Sequence, residues 1–120
     1  MEFELVNRDE RGEIWKTEIE GIAYWMSYTR QGFGRGGDIH EGWQHNVILK
    51  GSFEVRMMVP DVPEGEEVWS HTAFAKLAVP PEVPHVFIAL EDSYMMEWHD
   101  HELPPFSEKR YYAPYRRLIK

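Results

Sequence analysis

Asp38 and His40 stand two residues apart, and Gln44 follows just after a glycine at 42. Side chains two apart on a strand share one face. A carboxylate and an imidazole would therefore point the same way, and a turn at Gly42 would bring the Gln44 amide in from the next strand. His45, one step on, would face away. His85 begins another apolar alternating run, and His99-Asp100-His101 follows a third. Such a set could move protons, because carboxylates and imidazoles serve as general bases and acids. It could equally hold a divalent transition metal, since two imidazoles, a carboxylate and an amide oxygen suit Fe, Mn, Ni or Zn with positions left open. Gly32-Phe33-Gly34-Arg35-Gly36-Gly37 spells the GxGxxG of dinucleotide-binding folds. Pyrophosphate binding there requires a helix N-terminus, whereas 38–50 reads as turn and strand. The glycines are expected to turn the chain tightly at a barrel mouth.

The elements that must position these groups are strands. Ile22, Tyr24, Met26 and Tyr28 alternate with Ala23, Trp25 and Ser27, and Phe53, Val55, Met57 and Val59 with Glu54, Arg56 and Met58. This period of two predicts strands over 13–19, 22–29, 44–50, 53–59, 73–79, 84–90 and 94–99. Turn signals separate them at Glu20-Gly21, Gly51-Ser52, Pro80-Pro81 and Glu91-Asp92. Many short strands at regular spacing predict an all-β sandwich or barrel. Residues 60–72 read as an exposed loop. The helix candidate is 107–112, with Ser107 as its N-cap. No domain boundary or repeat is visible, so 1–120 reads as one domain with its core over 13–99 and a basic tail over 104–120.

Composition narrows the function classes. Asp plus Glu number 21 against 13 Lys plus Arg, a net charge of -8, which argues against nucleic acid as a partner. There is no cysteine, hence no disulfide framework, thiolate metal site or thiol nucleophile. No apolar run is long enough to cross a membrane as a helix. Met1-Glu2-Phe3-Glu4 offers no basic segment ahead of a long apolar one, so a cytoplasmic protein is expected. Ser107 to Lys120 carries five basic residues and one acid. This tail is expected to fold back on the acidic body, with an anionic ligand or partner for Arg110, Arg116 and Arg117 as the alternative.

A family pattern coincides with the candidate cluster. Gly32, five residues, Asp38-Ile39-His40, three residues, Gln44, six residues and Gly51 resembles the first motif of the cupin superfamily, Gly-x5-His-x-His-x3–4-Glu-x6-Gly. Asp38 stands for the first His and Gln44 for the Glu. Pro80-Pro81-Glu82-Val83-Pro84-His85 resembles the second motif, Pro-x-Gly-x2-His, with Glu82 in place of the Gly. The resemblance covers about 30–98 and implies an antiparallel jelly roll, the double-stranded β-helix.

Asp9-Glu10-Arg11-Gly12, Arg35-Gly36-Gly37 and Pro81-x3-His85-x-Phe87-x2-Leu90 further resemble the small cupins that isomerise or epimerise nucleotide-linked deoxysugars, the 3,4-ketoisomerases and 3,5-epimerases. In that branch the first His of the motif is the base, which is Asp38 here, and the later Tyr of the epimerases aligns with Glu97. The resemblance therefore implies an enzyme of carbohydrate metabolism acting on a keto-sugar, probed through Asp38, His40 and Glu97 as catalytic residues. Gln44, His85, Tyr28 and Trp98 would bind substrate, and Arg35, with Arg30 beside it, would hold the diphosphate. This reading requires no cofactor. The alternative is a metal-dependent cupin using Asp38, His40, Gln44 and His85 as ligands. A third possibility is a sugar- or small-anion-binding cupin without catalysis. A homodimer is expected, with Phe3-Glu4-Leu5-Val6 adding to a neighbour's sheet or else completing its own.

Overall fold

A computed structural model describes residues 2–59 and 65–119. Two antiparallel sheets face each other. The first follows the order β1-β2-β3-β10-β5-β8, with β1 Glu4–Asp9, β2 Gly12–Ile19, β3 Ile22–Thr29, β5 Gln44–Lys50, β8 Lys76–Val79 and β10 Ser93–His99. The second follows β11-β4-β9-β6-β7, with β4 Gly34–Ile39, β6 Ser52–Met58, β7 Glu66–Thr72, β9 His85–Ala89 and β11 Arg110–Tyr111. This is the all-β jelly roll expected. No helix among the described residues is long and apolar enough to cross a membrane.

The core lies between the sheets. Ile48, Phe53, Val55, Met57, Val79, Val83, Phe87, Ala89 and Met95 fill it. Each is the inward member of an alternating strand or of the turn beside one, which is why the period of two located these strands. Phe53 and Phe87 meet edge to face, with centroids 6.3 Å apart.

Four expectations are corrected. The glycine run 32–37 does not only turn: after Gly32 (φ 88°) the chain enters β4, and Gly36 (φ 97°) and Gly37 (φ 78°) accommodate a register shift against β9 between Gly36 and Asp38. Half of this strand has no side chains to alternate, so periodicity could not reveal it. The loop expected over 60–72 is strand β7 from Glu66 onward, while 60–64 lie outside the described residues. Most of β7 is exposed, so no apolar face marks it. The strand expected over 73–79 begins only at Lys76. The helix expected over 107–112 is a short 3-10 turn at Phe106–Glu108 followed by β11; the helix, α1, is Ala113–Arg116, with Pro114 in its first turn.

The basic tail does fold back on the body. Tyr115 and Ile119 pack on Val86, on the outer side of β9. Arg110 pairs with Glu82 at 2.7 Å, and Arg116 donates to the Gly36 carbonyl at 3.0 Å. At the other end of the chain β1 completes its own sheet by pairing with β2.

Candidate functional site

Three strands run from an apolar floor to a polar mouth. Inward residues along β9 are Ala89, Phe87 and then His85; along β10, Met95, Glu97 and His99; along β5, Ile48, Asn46 and Gln44. β4 delivers Asp38, and His40 follows it. Asp38 also sits in register with His85 on one side and Tyr111 of β11 on the other, so its backbone is fixed from both edges.

The carboxylate of Asp38 lies between two imidazoles. Oδ1 is 3.1 Å from His85 Nε2 and Oδ2 is 3.4 Å from His40 Nε2. His85 is fully buried, and its Nδ1 lies 3.1 Å from the Val83 carbonyl. Only an N–H can meet a carbonyl in this way, so Nδ1 holds a proton. Nε2 then faces a carboxylate oxygen, which is tolerable only if the ring is an imidazolium or a cation mediates the contact. Burial alone would lower the His85 pKa, but the hydrogen bond and charge of Asp38 outweigh it and raise the value. Burial pushes Asp38 up, yet the His85 hydrogen bond and charge, with His40 adding to them, bring its carboxyl down to about 2. His40 is pushed down to about 4, because burial outweighs the attraction of Asp38.

Glu97 joins the far wall. Its Oε2 accepts from His99 Nε2 at 2.8 Å, and its Oε1 accepts from Gln44 Nε2 at 3.2 Å and from Asn46 Nδ2 at 3.4 Å. Burial raises the Glu97 pKa, and the His99 hydrogen bond and charge reverse this to a net lowering. Gln44 also donates to Asn46 at 2.8 Å. Beyond these, the rings of His99 and His101 close on His40, with centroids 4.8 and 6.1 Å from it. Trp25 of β3 meets His99 edge-on at 5.8 Å, and the Lys16 ammonium lies 5.3 Å above that indole.

The structure thus gathers Asp38, His40, Gln44, His85 and Glu97 into one polar cluster between the sheets. It does not bring Arg35, Tyr28 or Trp98 there. Trp98 neighbours Glu97 along β10 and so projects to the opposite face, where it stacks on His45 at 5.4 Å and meets Tyr24 at 5.7 Å. Tyr28 occupies the same outer face against Tyr94, at 5.0 Å. Arg35 is buried away from the mouth, donating to Thr29 Oγ1 at 3.1 Å and to the Tyr28 carbonyl at 3.0 Å. Burial lowers its pKa to about 10. Arg30 donates to the Glu10 carbonyl at 3.3 Å. A separate cavity of about 500 Å³ is lined by Asp9, Glu10, Arg11, Arg116 and Ile119; it holds none of the clustered histidines.

His99 and His101 are the residues that the family motifs did not point to. Their signal was nevertheless present: Glu97, His99 and His101 recur every second position, which places them on one face if the strand continues.

No family model matches the sequence, and no curated protein matches it. Solved structures do. The E162A mutant of oxalate decarboxylase OxdC from Bacillus subtilis superimposes with a TM-score of 0.74 at 13% identity, over 91% of this chain and 30% of that one. CapF in complex with the inhibitor 3-isopropenyl-tropolone gives 0.71 at 13% identity, over 92% and 34%. The capsular polysaccharide assembling protein CapF from Staphylococcus aureus gives 0.69 at 12% identity, over 92% and 34%. This chain spans about a third of the length of these neighbours. The likeness to these structures is one of fold: this chain shares their two-sheet antiparallel jelly roll, the fold that the cupin-like motifs implied.

Proposed function

We propose that this protein is an enzyme of carbohydrate metabolism that isomerises or epimerises a keto-sugar by acid–base chemistry. The observation that carries this reading is the ionised Asp38 carboxylate, largely buried and clasped between His85 and His40. A carboxylate in this state is in its proton-accepting form at neutral pH. Asp38 removes the proton alpha to the sugar carbonyl, and the electron pair moves onto the carbonyl oxygen, which His40 polarises. Epimerisation is completed when His40 gives a proton to the opposite face while Asp38 keeps the one it took, and isomerisation when Asp38 returns its proton to the former carbonyl carbon as the adjacent hydroxyl proton passes to the former carbonyl oxygen. His85, anchored through Nδ1 to Val83, fixes the direction of the carboxylate. Glu97, hydrogen-bonded to His99, Gln44 and Asn46 and with its pKa lowered, is the second group able to take up a proton, here from a sugar hydroxyl. Arg35 is committed to Thr29 and Tyr28, so a nucleotide carrier would lack the diphosphate ligand that the sequence suggested.

The test is solvent exchange. Keto-sugars, free and nucleotide-linked, are incubated with the protein in D2O, and deuterium at the alpha carbon is read by mass spectrometry. Exchange into a bound sugar is expected. Asp38→Asn should reduce it by about 10²–10⁴-fold with little change in affinity. Sugars that bind without exchanging would leave a binding protein in place of an enzyme.

A second reading has its own support. Asp38, His40 and His85 can each place one ligand atom within 4.8 Å of the others, and the ionised carboxylate is the form a metal requires. Such a two-imidazole, one-carboxylate set leaves positions open and, when occupied, supplies Lewis-acid chemistry. The fourth expected ligand, Gln44, turns its amide nitrogen to Asn46 and Glu97, and its Oε1 is buried without a hydrogen-bond partner among the described residues.

A further inference from the structure

We infer that His40, His99 and His101 form a three-histidine centre for a divalent transition metal at the pocket mouth, distinct from the set formed by Asp38, His40 and His85. Each of the three can bring a ring nitrogen within 4.8 Å of the other two. What separates this trio from a chance cluster is how its outer members are held. His99 Nε2 lies 2.8 Å from Glu97 Oε2 and therefore carries the proton. This leaves Nδ1 as a bare lone pair, and Nδ1 is buried with no hydrogen-bond partner among the described residues. The His99 side chain is only 2% exposed, so water does not compensate freely for the missing bond.

His101 repeats the arrangement with its nitrogens exchanged. Nδ1 lies 3.2 Å from Asp100 Oδ1 and holds the proton, and Nε2 is buried and unpartnered among the described residues. Metal-ligating histidines characteristically donate their second N–H to a carboxylate, which fixes the tautomer and raises the basicity of the ligating nitrogen. Here two carboxylates do so for two adjacent rings, and both lone pairs lack a proton donor.

The supporting groups are themselves fixed. The Asp100 carboxylate accepts from the Trp43 amide at 2.9 Å, and the Asp100 amide donates back to the Trp43 carbonyl at 3.2 Å. Gly42 lies so close to this pair that a Cβ there would collide with the His101 ring and the Asp100 carboxylate. Three imidazoles with a position open to the pocket suit Zn(II) or Co(II).

The assignment shares His40 with the reaction proposed above, and its test reads metal binding rather than turnover. Its test titrates the chelator-stripped, untagged full chain with Co(II), followed by visible absorption, and then with Zn(II) in competition. One Co(II) per chain with the spectrum of a four-coordinate nitrogen site is expected. Glu97→Gln and Asp100→Asn should weaken binding by about 10–100-fold, and His99→Gln and His101→Gln by more. Gly42→Ala should weaken it without altering any ligand. His85→Gln should leave affinity unchanged. Circular dichroism confirms that each variant is folded; should His99→Gln fail, His101→Gln at the mouth carries the test. Loss of Co(II) in His85→Gln with retention in His101→Gln would assign the metal to the Asp38 set instead. Wild-type protein that takes up no Co(II) would overturn the inference outright.

Discussion

His40 and His85 touch the same carboxylate yet are driven in opposite directions, and this gives the metal-free protein a particular pH profile. His40 is depressed to about 4, so the unfolded chain binds more protons than the native one between about 6.5 and 4. Its contribution is complete above the unfolded value and is lost as pH falls through that window. His85 is raised, so its contribution is complete below about 6.5 and is lost as pH rises through its folded pKa. Asp38, at about 2, adds stability that disappears only between about pH 4 and 2. The melting temperature in the presence of a chelator should therefore peak near pH 6.5. His40→Gln should flatten the acid arm between pH 6.5 and 4, and His85→Gln the alkaline arm. A profile unchanged in both variants would show that these rings do not titrate as the geometry requires.

At the scale of elements, tight junctions keep the strands in register. Gly51 joins β5 to β6 with φ 89°, and a Cβ there would meet the Ser93 side chain and the Asp92 carbonyl. Ser93 in turn accepts from the Ser52 amide at 3.0 Å and donates to the Glu91 carbonyl at 2.8 Å. Gly51→Ala should cost roughly 1–3 kcal/mol, measurable as a lowered urea midpoint with an unchanged slope. This glycine closes the first cupin-like motif, so the motif was legible here for a backbone reason. The same holds for β2, β3, β5, β6, β9 and β10: one buried face writes its period into the sequence. β4 was hidden because glycines carry no pattern, and β7 because it is largely exposed. Asp38, His40, Gln44, His85 and Glu97, which motif spacing singled out, lie together. Tyr28 and Trp98 lie on the outer face, and the strand period already sends Trp98 outward from Glu97. His99 and His101 obeyed that period too, but they lie downstream of both motifs.

For the whole molecule, charge and edges decide what else the surface does. The tail's arginines are partly spent on the body, through Arg110 with Glu82 and Arg116 with Gly36, and this weakens the case for an anionic partner there. The first sheet ends in β1, where Leu5 and Val6 are 39% and 49% exposed, and Phe3 just ahead of it is 44% exposed. An edge strand with apolar side chains is a template for pairing. Light scattering at micromolar concentration should give a homodimer, and Leu5→Lys should shift it towards monomer. A monomeric wild type would mean that the edge is tolerated unpaired.

The edge-on contact between Trp25 and His99 has an optical consequence. That indole lies against one of the clustered imidazoles, whereas Trp98 lies on the outer face against His45. The molecule carries its own fluorophore at the place where chemistry would occur and another outside it as an internal reference. Occupancy of the pocket can thus be followed in the unlabelled protein, by subtracting the emission of a Trp25→Phe variant from that of the native chain.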